Sequence, residues 1–432
     1  MNKEYIIKSI GSVAVSIALV FAAGGLRSLE PAHEAPGTAQ AAEGNGIEYL
    51  HVDAPKAAGA DGVVSAEEWR ETYPAIVASM EANSENNYRI SYIDEDPYIT
   101  NLYEGYGFAI DYTSAIGHTY CLEDVHETQR PHALANCLTC KTPNFTKLVN
   151  DMGEEAYQYD FEETWAKMTE NTSCYNCHEN QAGDGGKLVV THSYMVKALG
   201  DTINEINPAV MSCGQCHIEY YFDPDTKATT SPLSDMESFH PAKMLEYYNE
   251  MGFKDWVQES TGTNMLKTQH PEFETFQLGV HANMPDPTDP SSTVDCATCH
   301  MALETDENGK AYHSHKWISP LESETLLGVC ASCHGDTDMA EKVHAIQEEI
   351  TAREKEVGEQ LSDLKDALAQ AVADGSMSED QLNEIRQLYR DAQWFWDFSY
   401  VENSEGAHNS ALDRECLDTA ENKVKEAMGK FA

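Results

Sequence analysis

Residues 213–217 read CGQCH: two cysteines stand three positions apart, and a histidine follows the second one directly. The same pattern recurs as CYNCH at 174–178, CATCH at 296–300 and CASCH at 330–334. A fifth pair, at 137–141, reads CLTCK and has a lysine in the place of the histidine. Ten of the twelve cysteines therefore belong to one repeated motif, and the rest of the chain must fold around it.

The repeated motif is typical of covalent haem attachment. Two thiols at this spacing reach the two vinyl groups of one haem, and the next residue lies beneath the iron as proximal ligand. Zinc ribbons and a disulfide framework are the alternatives, but neither requires a histidine after the second cysteine. The motifs predict five haems c, held by Cys137, Cys140, Lys141, Cys174, Cys177, His178, Cys213, Cys216, His217, Cys296, Cys299, His300, Cys330, Cys333 and His334.

Lys141 is the one proximal position that is not a histidine. Lysine binds iron only as the neutral amine, so ligation must hold its pKa far below that of a free side chain. Such a ligand makes chemical sense where the opposite side of the haem is open for substrate. The alternative is that Lys141 follows a cysteine pair that carries no haem. The lysine therefore predicts one reactive haem beside four that transfer electrons.

The remaining cysteines and histidines leave choices open. Cys121 and Cys416 lie outside the motifs, and two buried thiols are favoured over a disulfide between them. Each electron-transferring haem needs a second axial ligand, and 17 histidines less the four proximal ones leave thirteen candidates. Counting alone does not identify the distal ligands.

The composition limits the function. The 432 residues carry a formal net charge of −45, with acidic residues spread along the chain. Such a surface repels nucleic acid and anionic lipid, so we expect no nucleic-acid partner. Hydrophobic residues make up 41% and the mean hydropathy is −0.50, so bulky covalent cofactors are expected to help fill the core. An anionic substrate would need a strong local positive site.

The N-terminus has the features of an export signal. Lys3 and Lys8 precede an apolar run at 10–25, and the sequence AQA at 39–41 offers a cleavage site. We expect residues 1–41 to be a signal peptide and the protein to be periplasmic or otherwise extracytoplasmic, where c-type haem is attached. An uncleaved membrane anchor is the alternative, because the distance from the apolar run to the cleavage site is longer than usual.

CLTCK followed by four CxxCH motifs resembles the ammonia-forming pentahaem cytochrome c nitrite reductases. GHTYCLEDVHETQR (117–130), CGQCHIEYYF (213–222) and KTQH (267–270) resemble further segments of this family. The resemblance covers roughly residues 100 to 410. It implies six-electron reduction of nitrite to ammonium, with hydroxylamine or sulfite as side substrates. The alternative from another class is a multihaem electron carrier without catalysis.

The resemblance also implies a site. The catalytic group would comprise Arg130, Tyr220 and His270 above the first haem, with Lys141 beneath it. One calcium ion would be held by the Glu219 carboxylate, the Gln269 side-chain oxygen and the main-chain carbonyls of Tyr220 and Lys267, a set of oxygen ligands that suits this cation. The distal ligands would be His315 for the second haem, His118 for the third, His408 for the fourth and His281 for the fifth.

Two departures from the family pattern concern the surroundings of the site. The stretch between Arg130 and Lys141 is shorter than in the family, and NMPDPTDPSSTVD (283–295) is longer. His126 stands where the family often has another basic residue. The implied partners are nitrite, a membrane-anchored quinol dehydrogenase or multihaem cytochrome as electron donor, and a second copy of the chain in a homodimer.

The predicted fold is mainly α, with short helices and loops wrapping five haems. Residues 42–100 are expected to be the N-terminal segment of the catalytic domain, 101–335 its five-haem core, and 336–432 a region of long helices that carries one distal haem ligand and the dimer contacts. Ser65 begins a capping box before a short helix. In the C-terminal region an amphipathic helix should end near Gly375, and Ser378 with Gln381 should cap the next. Its apolar stripe packs on the core or on a second subunit, and comprises Val357, Leu361, Leu364, Leu368 and Ala371.

Overall fold

The computed structural model describes residues 62–85, 88–178 and 188–431, and the backbone of Glu48–Tyr49. The predicted signal at 1–41 lies outside these residues. The described residues all belong to one unit, Ala41–Ala432.

Most of the described chain is helical. The α-helices are α1 (Ala66–Trp69), α2 (Pro74–Glu81), α3 (Tyr92–Glu95), α4 (Ile99–Leu102), α5 (Cys121–Glu127), α6 (Pro143–Met152), α7 (Phe161–Trp165), α8 (Ser193–Leu199), α9 (Pro208–Gly214), α10 (Pro241–Met251), α11 (Glu272–Gln277), α12 (Cys296–His300), α13 (Glu324–His334), α14 (Met339–Asp374), α15 (Glu379–Tyr400) and α16 (Ser410–Gly429). Short 3-10 helices lie between them. This confirms the predicted mainly α fold.

The strands within the described ranges are two or three residues long. They are β1 (Glu48–Tyr49), β2 (Val189–Val190), β3 (Tyr221–Phe222), β4 (Thr229–Thr230), β5 (Trp256–Gln258), β6 (Thr263–Met265), β7 (Leu303–Thr305) and β8 (Ala311–His313). β1 and β2 pair in parallel, and the other three pairs are antiparallel hairpins of consecutive strands. The small amount of sheet agrees with the prediction.

The predicted helix boundaries are confirmed at three places. Ser65 and Glu68 form the capping box that begins α1. Helix α14 ends at Gly375, which has a left-handed φ of 59° that glycine adopts without strain. Ser378 and Gln381 form the capping box of α15. Local hydrogen bonds of this kind depend on neighbouring residues, which explains why the sequence predicts them well.

The apolar stripe of α14 is buried inside the chain. Val357, Leu361, Leu364 and Leu368 are 0% exposed and belong to the largest hydrophobic cluster, together with residues of α4, α15 and α16. Gly358 lets α14 approach the start of α4 closely, because a Cβ there would lie 2.3 Å from the ring of Tyr98, the residue before α4. Of the two destinations predicted for the stripe, the structure shows packing within one chain.

Among the described helices, none combines the length and the apolar character that crossing a bilayer requires.

Candidate functional site

Each CxxC motif lies on a helical turn. The first two lie on 3-10 turns, Ala135–Leu138 and Cys174–Asn176, while α9, α12 and α13 carry the others. Residues three apart on a helix face the same side, so the two sulfurs of each pair point in one direction. The backbone N–H groups of His178 and His217 donate to the carbonyls of the first cysteine in their motifs, at 2.8 and 3.0 Å.

The cysteines bear on the alternatives to haem attachment. All twelve lie in the described residues and none forms a disulfide, which excludes a disulfide framework. Cys121 and Cys416 are two buried thiols, as predicted. In the described part of the chain one group of three metal-ligand atoms lies within 4.8 Å, at Cys140, His192 and Cys216. A zinc ribbon needs two whole cysteine pairs together, and these cysteines come from different pairs.

Four histidine pairs face each other beside the CxxCH motifs. Their ring centroids lie 6.2 Å apart for His178 and His315, 5.9 Å for His118 and His217, 6.1 Å for His300 and His408, and 6.2 Å for His281 and His334. Each pair joins a proximal histidine with the distal one that the resemblance implies. Metal–imidazole bonds of about 2 Å, with about 1.2 Å from ring nitrogen to ring centre, place two opposed ligands about 6.4 Å apart. The spacing of the rings fits an iron between the members of each pair. Because the His217 ring also lies 6.4 Å from that of His270, the pairing of His217 with His118 rests on the family resemblance as well.

In three of these rings, Nδ1 hydrogen-bonds to an acceptor of the protein. His300 and His315 hydrogen-bond through Nδ1 to main-chain carbonyls, at 3.0 and 2.9 Å. Nδ1 of His408 lies 2.6 Å from a carboxylate oxygen of Glu402. A donor bond from Nδ1 selects the tautomer whose Nε2 is free to bind a metal.

Contacts between motifs give their order in space. Cys140 of the first motif lies beside Cys216 of the third, and the Cys177 sulfur of the second motif lies 3.6 Å from the Ser212 carbonyl next to the third. The Cys213 thiol contacts Cys296 of the fourth motif, and Cys299 of that motif interacts with the fifth. The third motif is therefore central, with the fourth leading to the fifth.

The first motif is surrounded by the predicted catalytic residues. Burial lowers the pKa of His270, whose ring lies near Lys141. His270 Nδ1 is buried without a hydrogen-bond partner among the described residues, and a Glu272 oxygen lies 3.9 Å away. Burial raises the pKa of Tyr220, and the charge of Arg130 opposes the rise. His270 thus lies near Lys141 and Tyr220 lies near Arg130, while Arg130 and Lys141 both lie near Cys137 of the first motif.

Arg130 is oriented from one side. Its Nε donates to the Thr128 hydroxyl at 3.1 Å, and that hydroxyl donates to Asp111 at 2.8 Å. The guanidinium carbon lies 4.5 Å from the centre of the Phe108 ring, a cation–π contact. Within the described residues no carboxylate forms an ion pair with Arg130. Its terminal nitrogens can therefore bind an anion, and this is the local positive site that the acidic composition requires.

The predicted calcium ligands lie together in a buried, acidic region. Glu219 is 1% exposed, and its carboxylate accepts from Tyr248 Oη at 2.9 Å and from the Gln269 N–H at 2.7 Å. The Gln269 amide lies 3.0 Å from the Lys267 carbonyl. Burial raises the pKa of Glu219, that of Glu274 to about 8, and that of Asp255 to about 7.

The donor set fits a divalent cation. Buried carboxylates are costly unless a cation compensates them, and oxygen ligands are those that calcium prefers. The amide of Gln269 would present its oxygen instead of its nitrogen, which a half-turn of the amide achieves.

Sequence reasoning missed several residues that shape the site. Asp111 and Phe108 had no motif to mark them, and Thr128 was overlooked two positions before Arg130. Lys267 was implied only through its carbonyl, yet its ammonium forms a buried ion pair with Asp397 at 3.0 Å. Such partners come from separate elements, so only the tertiary structure reveals them.

The helical fold, the five cysteine pairs and the facing histidines define a multihaem c-type cytochrome. The chain belongs to the cytochrome c552 family, whose model matches residues 65–432. This confirms the family resemblance predicted from the motifs.

Solved structures give the same result. The chain is similar to the catalytic subunit of the cytochrome c nitrite reductase of Desulfovibrio desulfuricans, a structure described with two calcium sites: identity is 26%, 85% of each chain is covered, and the TM-score is 0.75. An undecahaem cytochrome from the S-layer of Carboxydothermus ferrireducens matches with 17% identity over 73% of this chain and 41% of that one, at a TM-score of 0.38. The outer cell wall cytochrome OcwA matches with 18% identity, over 71% and 48%, at 0.39. The last two scores are too low to support an argument.

Proposed function

We propose that this chain is a cytochrome c nitrite reductase that reduces nitrite to ammonium at the first CxxC motif. One observation carries the proposal: each of the four CxxCH motifs has a histidine facing its proximal histidine, whereas CLTCK has Arg130, Tyr220 and His270 around it. The likeness to the Desulfovibrio enzyme supports the same activity.

The proposed site uses five haems c and one calcium ion. Lys141 would hold the first iron as a neutral amine, and the four histidine pairs would hold the others. When bound, haem iron supplies electrons and, at the first site, an open position for the nitrogen of nitrite. The overall reaction takes six electrons and eight protons and releases two waters.

The side chains of the chain would bind the anion and move protons. Arg130 would donate hydrogen bonds from its terminal nitrogens to the nitrite oxygens and offset their charge. His270 would hold a proton at Nε2, on the side of its ring away from Glu272, and pass it to an oxygen that leaves as water. Tyr220 borders the same space and shapes it.

The remaining assignments belong to the same proposal. Export by the signal predicted at residues 1–41, which lie outside the described ranges, would bring the protein outside the cytoplasm, where c-type haem is attached. The electron donor would be a membrane-anchored quinol dehydrogenase or a multihaem cytochrome, and hydroxylamine and sulfite would be side substrates. The homodimer rests on the family resemblance, because the apolar stripe of α14 is already covered within one chain.

The test is nitrite turnover by the purified protein carrying five haems. We expect one ammonium and six electrons consumed per nitrite, and an electron paramagnetic resonance (EPR) spectrum with one high-spin haem beside four low-spin haems. The matched variant is Lys141→His, which should retain five haems and lose at least about 90% of turnover, since a changed axial ligand alters the iron that binds substrate. Five low-spin haems without turnover would show an electron carrier instead.

The predicted calcium site is tested by measuring the calcium content. Elemental analysis is expected to find calcium in the purified protein, and Glu219→Gln should lower its content because a charged oxygen ligand is lost. The matched control is Glu246→Gln, which removes a charge from the exposed face of α10. Equal calcium content in both variants, or none in the wild type, would contradict the assignment.

A further inference from the structure

The segment 401–409 joins α15 to α16 and carries His408. Its backbone is held by its own hydrogen bonds: the Glu405 N–H donates to the Glu402 carbonyl and the Ala407 N–H to the Ser404 carbonyl, both at 3.2 Å. Gly406 has a φ of 91°, and a Cβ there would lie 2.7 Å from a side-chain atom of Ile350 on α14. These contacts fix the backbone that carries His408.

The carboxylate of Glu402 is the centre of this segment. Its side chain is 0% exposed, and one oxygen lies 2.6 Å from His408 Nδ1. The other oxygen accepts from the Ser404 hydroxyl and from the Ser404 N–H, the latter at 3.3 Å. Within the described residues neither lysine nor arginine forms an ion pair with Glu402. The partners of this buried carboxylate are thus the His408 imidazole and Ser404.

A carboxylate acts on a ligand histidine differently from a carbonyl. An acceptor with a full negative charge draws the Nδ1 proton more strongly, which makes the ring a stronger donor at Nε2. A stronger donor stabilises the ferric state over the ferrous state, so the reduction potential falls. His300 and His315 have neutral carbonyl acceptors at Nδ1. The fourth haem would therefore differ from the second in the charge next to its distal ligand.

We infer that Glu402 is a positioning residue for the fourth haem: it fixes the ring of His408 and lowers the reduction potential of the iron that His408 binds. This rests on the proposed role of His408 as distal ligand. Because the fourth motif lies between the third and the fifth, Glu402 would set the driving force for electron transfer between them.

The test is Glu402→Gln in the protein with five haems, because glutamine keeps an acceptor oxygen and loses the charge. Spectroelectrochemical titration is expected to show one low-spin haem whose ferrous state is favoured about tenfold, which is about 59 mV for a one-electron couple. One low-spin EPR signal should shift with it. The control is Glu405→Gln, which removes an exposed charge from the same segment and should leave all potentials as in the wild type.

A second variant tests the direction in which the reduction potential changes. Ser404→Ala removes a donor to the carboxylate, leaves more negative charge for His408, and should lower the potential of the same haem. If Glu402→Gln does not acquire five haems, Ser404→Ala provides the test of the proposal instead. Wild-type potentials and EPR signals in both variants would overturn the role of Glu402. His408→Ala separates the two hypotheses: if the fourth haem stays low-spin with an unchanged signal, the ligand assignment itself fails.

Discussion

Arg130→Ala is expected to lower kcat/KM for nitrite by about 10²–10³-fold, the usual cost of removing a preorganised donor to a developing negative charge. The guanidinium is held on one side by Thr128 and Phe108 and has no carboxylate partner among the described residues. Within the described residues, the terminal nitrogens of Arg130 therefore form no ion pair and can bind an anion beside the first motif. Steady-state kinetics with a viologen donor measure the effect.

The control separates binding from general damage. Arg89→Ala removes an arginine that pairs with Asp124 and Glu127 near the surface, and it should leave kcat/KM unchanged. Arg130→Lys should recover part of the lost kcat/KM, because lysine restores the positive charge but not the planar set of N–H donors of the guanidinium. Wild-type kinetics in Arg130→Ala would remove this residue from the mechanism.

Asp397→Ala is expected to lower the free energy of unfolding by about 3–5 kcal/mol, because it leaves the buried charge of Lys267 uncompensated. The side chains of Lys267 and Asp397 are 1% and 0% exposed, and their charged groups lie 3.0 Å apart. Asp397 also accepts from Tyr103 Oη at 2.5 Å and from the Thr268 N–H at 2.9 Å. Burial raises the pKa of Asp397, while these donors favour its charged form.

Urea unfolding of the haem-loaded protein, with calcium held constant, measures this loss as a lower midpoint at unchanged slope. Glu246→Ala breaks the exposed pair with Lys243 and should cost less than about 1 kcal/mol. The double variant Lys267→Met/Asp397→Leu should recover much of the stability, since it leaves no unpaired buried charge. A loss in Asp397→Ala no larger than in Glu246→Ala would contradict the role of the ion pair. Asp397 also joins α15 to the loop that carries His270.

Features with a local cause were predictable. The capping boxes at Ser65 and Ser378 and the end of α14 at Gly375 follow from hydrogen bonds and backbone angles within a few residues. The destination of the α14 stripe was not predictable, because periodicity shows that one face is apolar but not what covers it. The structure shows that α4, α15 and α16 cover it.

The residues of the site also fall into those that the sequence indicated and those that only the structure revealed. The motifs point to the residues near the first cysteine pair, and the structure brings them together. Asp111, Phe108 and Asp397 carried no signal, because their partners lie on distant segments. Glu402 lies six positions before His408, but no repeated motif marks this pair. A single buried contact leaves no repeat, spacing or composition by which a sequence could show it.

The sequence by itself determined that the chain attaches haems, how the cysteine pairs are spaced, and that Lys141 breaks the series. These properties follow from covalent chemistry, which needs two thiols and a ligand within five consecutive positions. Counting histidines did not pair them; the family resemblance implied the pairs, and the tertiary structure shows them facing each other. Only the tertiary structure revealed which charged groups contact these residues. These contacts are set by packing between different segments of the chain. Because the contacts are buried, their hydrogen bonds and charge interactions are stronger than they would be in water.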